Sequence, residues 1–549
     1  MSNETPASNE APAPDESVDP TLSANRARKP KRGWWLVAAV AVVVVAAGGY
    51  GIAQAVGAKD SDKNGAQDNA KGSTSDGQTA PTDQVTLTVG LALEPTNLNI
   101  RTTAGAALDQ ALIDNVYQGL VSRDPTEDIV PSLATDWTVS EDALTYTFNL
   151  AAGAKFSNGH VLDSADVVWS IEDLVANGHV GSEYLGALQA IEAPDPATVV
   201  ITLDQPYPDL LWALSGRAGL VLDQEADNDL DSTAIGSGPF EFEQWRQGDS
   251  ITLVRDDDYW GETAPLKSVV FRYLTDYNAA VNAFNAGDVD VLAPLSTDLR
   301  EQIKIPGAEI VEADASDKFV LAFNNAQAPL DDLRVRQAIR YALDHPAIIT
   351  ARGSVDKELG GPIPPLDPGH EDLTGLYPHD VDKAKELLAE AGYADGLKLT
   401  LTIPAFYESV LPDTVVSQLA QAGIDVTVEA VEFSAWLEDV YTNKDYQLSI
   451  VDHAESHDFG NWANPDSYFG YDNAEVQALY AKSQVATSTA EAEKALSDAA
   501  RIVSEEAAAD WLVNFRQLVA LRPGIEGFPP AQINNRLNLG QVVASPVGS

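Results

Sequence analysis

The chain contains no cysteine, and its one methionine is the initiator. That absence removes disulfides, thiolate zinc sites, iron–sulfur clusters and thiol nucleophiles together. It also removes any lipid-modified cysteine, so if this chain is held at a membrane, another device must hold it. Scarcity of oxidisable side chains suits a protein that works outside the cytoplasm. Positive charge is scarce too: 34 Lys and Arg stand against 83 Asp and Glu, a formal net charge of −49. Phosphate would be repelled, and no nucleic-acid partner is expected. The signatures of catalysis are also missing, with no Gly-x-Ser-x-Gly elbow, His-Glu-x-x-His, phosphate loop or dinucleotide fingerprint. Gly236-Ser237-Gly238-Pro239 lacks the elbow spacing and reads as a turn before a strand. A membrane-tethered hydrolase is therefore disfavoured, and neither an enzyme nor a cofactor carrier is expected.

What the sequence does have is one long apolar run. Residues 34–56, WWLVAAVAVVVVAAGGYGIAQAV, carry no charge. About 20 helical residues cross a hydrocarbon core of roughly 30 Å, so the run reads as a single N-terminal transmembrane helix. Arg26, Arg28, Lys29, Lys31 and Arg32 precede it, and Lys and Arg crowd the cytoplasmic end of a span. The tail 1–33 is thus placed inside and the bulk of the chain outside; rich in Pro, Ser and acid, the tail is expected to be disordered. Ala53-Gln54-Ala55 also fits a signal-peptidase site, which would make the run a signal that is removed. Either reading exports the large domain, anchored at the cell membrane or secreted. Residues 57–84, rich in Gly, Ser, Asp and Asn, read as a flexible linker.

Folded structure begins at Val85, where VTLTV alternates apolar and polar residues as a half-buried strand does. Tyr146 to Leu150 is strand-like, and Asp163 and Ser164 cap a helix over 165–176. Phe240 to Trp245 and Ile251 to Val254 flank Gln247-Gly248-Asp249 as a hairpin. Further on, Phe319 to Phe323 reads as a strand. Val335, Ala338, Ile339 and Ala342 recur at helical spacing behind Asp331 and Asp332. Ala384, Leu387, Leu388 and Ala391 do the same between Asp380 and Gly392. Strands at 399–403 and 424–428 bracket another helix, an alternation that implies crossover units and a mainly parallel sheet. Trp511 to Leu521 reads as one closing strand, and no repeat at a fixed period is evident.

Six ordered blocks then carry a resemblance. SLATDW…YTFNL…KFSNG…SADVVWS (132–170), GSGPFEFEQW…LVRDDDYWG (236–261), FNAGDVDV (284–291), FNNAQAPLDDLRVRQAIRYALD (323–344), VDKAKELLAEAG (381–392) and QAGIDV (421–426) lie in this order. From about residue 85 to 538 the chain resembles the family 5 extracellular solute-binding proteins, the peptide- and nickel-binding receptors of ABC importers. The resemblance implies a two-lobed, periplasmic-binding-protein-like α/β fold of class II with an extra subdomain in lobe one. Lobe one would comprise 85–320 plus 511–538 and lobe two 321–510, with hinge crossings near 319–323 and 511–515. It also implies a monomer, ABC permease subunits as partners, and a short peptide or other small molecule as ligand in the cleft.

In peptide-binding relatives an Asp-Tyr-x-Asp-Pro-x-x-Tyr/Phe segment after a strand of lobe two pairs its first Asp with the peptide's amino group. Here Asn461-Trp462-Ala463-Asn464-Pro465-Asp466-Ser467-Tyr468-Phe469 occupies that pattern, so the anchoring charge is replaced by Asn461. Asp458 and Glu455 are candidates to supply the missing charge, and Trp462 and Phe433 to supply apolar walls. Trp137, Trp169, Trp245 and Trp260, which belong to the framework blocks, read as core. Glu94, in a first-lobe loop that in relatives faces the cleft, is a candidate partner for a cationic ligand. His453, Glu455 and His457 at i, i+2 and i+4 would share one face of an extended strand, with metal-ligand types and spacing. The trio would suit a metal-chelate receptor; a polar loop lining a pocket is the plainer reading, and a sensor that keeps the binding fold without transport is a further one. Amino-terminal sequencing of the mature protein separates the two readings of the apolar run: a start at Met1 or Ser2 is expected for a retained anchor, whereas a start at Val56 would show removal.

Overall fold

The alternation at Val85 delivers the strand Thr86–Leu91, whose Leu87 and Val89 are fully buried. The structure is a computed structural model that describes residues 85–545 except Glu408 and Asn534. The expected tail, membrane helix and linker lie outside the described residues, among which no helix is long and apolar enough to cross a membrane. Thr86–Leu91 is the centre of a seven-stranded sheet, parallel to Ser268–Tyr273 on one side and Val291–Leu295 on the other. The outer strands Phe240–Arg246, Ser250–Arg255, Glu309–Ala313 and Gln517–Leu521 all pair antiparallel. The hairpin turns at Gly248, whose φ of 77° suits glycine. Gly236 and Gly238 are required for a different reason: a Cβ on Gly236 would lie 2.0 Å from the carbonyl oxygen of Val116.

Between the first and later strands of this lobe a second body is inserted. Strands Ala134–Val139, Thr145–Leu150, Thr198–Leu203 and Leu188–Asp195 form, in that spatial order, a four-stranded antiparallel sheet. Helix Ser164–Asn177 packs on it, started by a capping box between Asp163 and Asp166 and stopped by Gly178 in the left-handed region. Phe148, Val167, Ile171, Val199 and Ile201 fill its own core. Trp137 and Trp260 pack against that core, and Trp169 and Trp245 against the core of the large sheet.

The second lobe is a five-stranded sheet ordered Ile424–Val431, Leu397–Pro404, Leu448–His453, Lys318–Phe323 and Ala509–Asn514. Helices Leu333–Ala342 and Val381–Glu390 are capped by Asp332 and Asp380 and bury the apolar stripes read from the sequence. The expected mainly parallel sheet is corrected. Only the pairings of Leu397–Pro404 with its two neighbours are parallel, because Lys318–Phe323, which enters from the other lobe, and Ala509–Asn514, which leads back to it, run antiparallel to their neighbours. The expected closing strand is two strands in different sheets, Ala509–Asn514 and Gln517–Leu521, broken at Phe515-Arg516. The chain therefore leaves the first sheet after Ala313 and returns to it before Gln517, and both segments expected as hinges lie inside or beside the second sheet. Past the expected end of lobe one, Leu539, Val542 and Ala544 still belong to its core.

A buried ion cluster ties the second sheet to its helices. Asp510, with no exposed side-chain surface, accepts from Arg340 Nε at 3.2 Å and lies 2.9 Å from His345 Nε2. Burial pushes the Asp510 carboxyl up, but His345 and Arg340 outweigh it and hold it below the usual range. Burial likewise pushes His345 down, and Asp510 outweighs that and holds it above its usual value. Asp510's share of stability is present above its unfolded value near 4 and fades as pH falls through its depressed folded value. His345's share is full below about 6.5 and fades as pH rises through its raised folded value. Arg340→Met leaves the buried Asp510 charge with His345 as its remaining partner, and a loss of about 1.5–3 kcal/mol is expected in urea unfolding followed by tryptophan fluorescence. An unchanged midpoint would contradict this assignment.

Candidate functional site

Parallel strands put their C-terminal ends at one edge, and loops leaving that edge are where open α/β sheets bind ligands. In the second lobe Leu397–Pro404, Ile424–Val431 and Leu448–His453 end together, delivering Phe406 and Tyr407, Phe433, and the loop 454–461. In the first lobe Ser268–Tyr273 and Val291–Leu295 deliver Tyr277 and Ser296 to Asp298, and Thr86–Leu91 delivers the Glu94 loop. The two edges face each other. His457 stacks on Trp212 of the inserted body, ring centroids 4.2 Å apart and planes at 22°, and its Nδ1 lies 3.5 Å from Asp209. Near the return crossing a cavity of about 230 Å³ separates Thr297 and Asp298 from Arg352 and Val410.

The loop 454–461 is organised by a lysine with almost no exposure. Lys318 opens a strand that reads Lys-Phe-Val-Leu-Ala-Phe, and it is 1% exposed. Its Nζ lies 2.9 Å from Asp458 Oδ1 and donates to the carbonyl oxygen of Glu455 at 3.4 Å. Burial alone would lower the lysine, but Asp458 and then Asp367 outweigh it and hold the ammonium above its usual value. Burial would raise Asp458, but Lys318 first and then His453 hold it below the usual carboxylate range. His453 completes the chain, Nδ1 3.1 Å from Asp458 and Nε2 2.7 Å from the Tyr468 hydroxyl. Nδ1–H donates to Asp458, and Nε2 is satisfied by the Tyr468 hydroxyl.

These contacts redistribute the residues singled out in the sequence. Asp458 is committed to Lys318 and His453 and is not open to a ligand ammonium. The metal trio is corrected: the strand ends at His453, His457 has φ 58°, and the three side chains do not share a strand face. Among the described residues no group of His, Asp and Glu is placed to hold a metal ion. Trp462 is corrected as well: 2% exposed, it stacks on Phe469 at 3.9 Å and is core. Glu94 is committed within its own lobe, accepting from Trp245 Nε1 and the Gly248 N–H, both at 2.8 Å, and so pins the hairpin turn. Phe433 is half-buried against Phe406 at the edge, and Asn461 is half-buried in the one-turn helix Gly460–Ala463.

Glu455 remains. Its Oε1 is buried and has no hydrogen-bond partner. Burial pushes its carboxyl up to about 6; His453 draws it down, and Asp458 pushes it further up. Two residues further on, His457 stacks on Trp212 of the inserted body, which sets Glu455 beside the meeting of the lobes. Lys318, Trp212 and Asp209 contact this loop and are missed by the sequence reading. A lysine inside an otherwise apolar strand is a legible signal for the first; nothing local marks the others.

Two α/β lobes joined by two crossings, with facing edges and an insert that closes on the cleft loop, define a two-lobed solute-binding protein. Residues 128–475, more than half of the chain, match the family described as bacterial extracellular solute-binding proteins, family 5, middle region, and the chain belongs to that family. It is 31% identical over 342 residues to the glutathione-binding protein GsiB of Salmonella paratyphi A, a match covering 60% of this chain and 66% of that protein. The chain thus spans just under two thirds of that relative's length. The heme-binding protein A of Haemophilus influenzae is 31% identical over 314 residues, 52% of this chain and 57% of that protein. Among solved structures, the ABC transporter substrate-binding protein CtaP of Listeria monocytogenes superposes with a TM-score of 0.75 at 21% identity, over 84% of this chain and 99% of that one. At that identity the likeness shows the fold.

Trp212→Ala removes the ring on which His457 rests. Small-angle scattering of the ligand-free protein is expected to show a larger radius of gyration, and ligand affinity to fall by up to about tenfold. An unchanged scattering profile would count against closure through this contact.

Proposed function

We propose that the protein is the extracytoplasmic receptor of an ABC importer, enclosing a short peptide between its lobes and holding the peptide's amino group on Glu455. The observation that carries this reading is the buried, unpartnered Oε1 of Glu455 at the meeting of the lobes. A buried carboxylate without a partner is costly, and a ligand ammonium would remove that cost as the cleft closes. In this reading Glu455 replaces the Asp that Asn461 has displaced, and Asp458 serves Lys318 instead. Relatives named for glutathione and a related structure holding the peptide STSA bind ligands of the same chemical kind. Closure draws on the His457–Trp212 contact, and the closed form is the one a permease would engage. The chain acts as a monomer, and the apolar run 34–56 would hold it at the membrane beside its permease.

The test is calorimetry on the purified protein with a tripeptide carrying a free or an acetylated amino terminus. Glu455→Gln is expected to weaken the free peptide by roughly tenfold to a hundredfold, the worth of a charge-assisted hydrogen bond, and to spare the acetylated one. Because the empty-state carboxyl ionises near 6, affinity of the wild type for the free peptide should rise as pH rises through about 6 and fall again as the peptide's amino group loses its proton at about 8. Equal affinity for both peptides in both proteins would sink the assignment.

A further inference from the structure

A second carboxylate at the same edge is left without a partner. Asp452 is the penultimate residue of the strand Leu448–His453, 6% exposed, and its Oδ1 makes no hydrogen bond. Its backbone is fixed: the Asp452 N–H donates to the Tyr407 hydroxyl at 2.9 Å, and Tyr407 packs edge-on against Phe319 with centroids 5.6 Å apart. The nearby cations are also engaged elsewhere. Arg352 gives its Nε to Asp356 at 2.6 Å and lies over the Phe319 ring at 4.7 Å, and Lys318 is held by Asp458 at 2.9 Å. Asp317, fully buried, brings a further carboxylate to the same place.

Asp452 and Glu455 stand at i and i+3, so their backbones lie within about 10 Å of each other at the edge that faces the first lobe. Each carries a buried oxygen with nothing to accept from. Proteins keep very few such atoms, because an unsatisfied buried acceptor costs about 1–3 kcal/mol and a charged one more. Burial and the neighbouring Asp317 push the Asp452 carboxyl well above the usual range.

We propose that the cleft selects a ligand with two cationic nitrogens, one on Glu455 and the other on Asp452, as in a diamine or a peptide whose first residue has a basic side chain. This rests on the peptide-receptor reading and narrows it: the amino group goes to Glu455 and a lysine- or arginine-type side chain to Asp452. An aromatic edge formed by Tyr407, Phe406 and Phe433 would cover the aliphatic stem.

The experiment is calorimetry at pH 7.5 on the full-length protein in detergent with three probes: Lys-Ala-Ala, the neutral isostere norleucine-Ala-Ala, and 1,5-diaminopentane. Lys-Ala-Ala is expected to bind at least tenfold tighter than norleucine-Ala-Ala, and Asp452→Asn to bring the two peptides to one affinity. Thermal melting should show Asp452→Asn at least as stable as the wild type, since removing an unpaired buried acid relieves strain that a purely structural role would not impose. Binding of 1,5-diaminopentane that Asp452→Asn weakens supports the same site and makes a free diamine a sufficient ligand. If that arm is silent while Lys-Ala-Ala keeps its advantage, the site still stands and its ligand is the peptide. Equal affinity of the wild type for both peptides, with the diamine unbound, overturns the Asp452 site while leaving the peptide receptor intact. No binding of either peptide overturns both.

Discussion

The ion pair between Lys318 and Asp458 is the constraint on which the cleft depends. Both side chains are almost fully buried, and each would be costly alone; at 2.9 Å they cancel one another, and His453 and Tyr468 satisfy what remains of Asp458. Lys318 is also the first residue of the strand entered from the crossing between lobes, paired to His453 on one side and Asn514 on the other. One residue therefore joins three parts: the outward crossing, the returning strand and the loop that meets the first lobe. Because the Asp458 charge is consumed internally, Glu455 is the carboxylate of that loop with an unpartnered oxygen. The crossing and the Glu455 loop are tied together by a contact that water does not reach.

Topology explains why the site falls there. In both sheets the parallel strands are central to the cleft, while the strands that cross between lobes are antiparallel to their neighbours. Parallel pairing sets several loops at one edge; antiparallel entry lets two adjacent strands serve as the connection. The inserted four-stranded body adds a third surface, bringing Tyr184, Asp209 and Trp212 to the loop 454–461. Its own core is separate, so it can present those residues without distorting the main sheet.

Local signals in the sequence are legible where one element decides its own shape. The caps at Asp163, Asp332 and Asp380, the stripes through Val335 to Ala342 and Ala384 to Leu388, and the hairpin at Gly248 all depend on near neighbours in the chain. What depends on distant partners is not legible. A fully buried strand such as Leu448–His453 has no alternation to read. A strand continuing from Trp511 to Leu521 is indistinguishable in sequence from two strands that part company at Phe515-Arg516. At the site the loop 454–461 stands out because its residues are chemically conspicuous, but the roles within it do not. Only the fold decides that Asp458 meets Lys318, that Trp462 meets Phe469, and that Glu94 turns back to Trp245.

The central claim is that the inter-lobe cleft holds its ligand by a cationic nitrogen on Glu455. A crystal structure of the protein with whatever co-purifies in its cleft tests it most directly. A ligand nitrogen is expected within hydrogen-bonding distance of Glu455 Oε1, with the Lys318–Asp458 pair intact beneath it. A ligand that leaves Oε1 without a partner, or that takes Asp458 from Lys318, would contradict it.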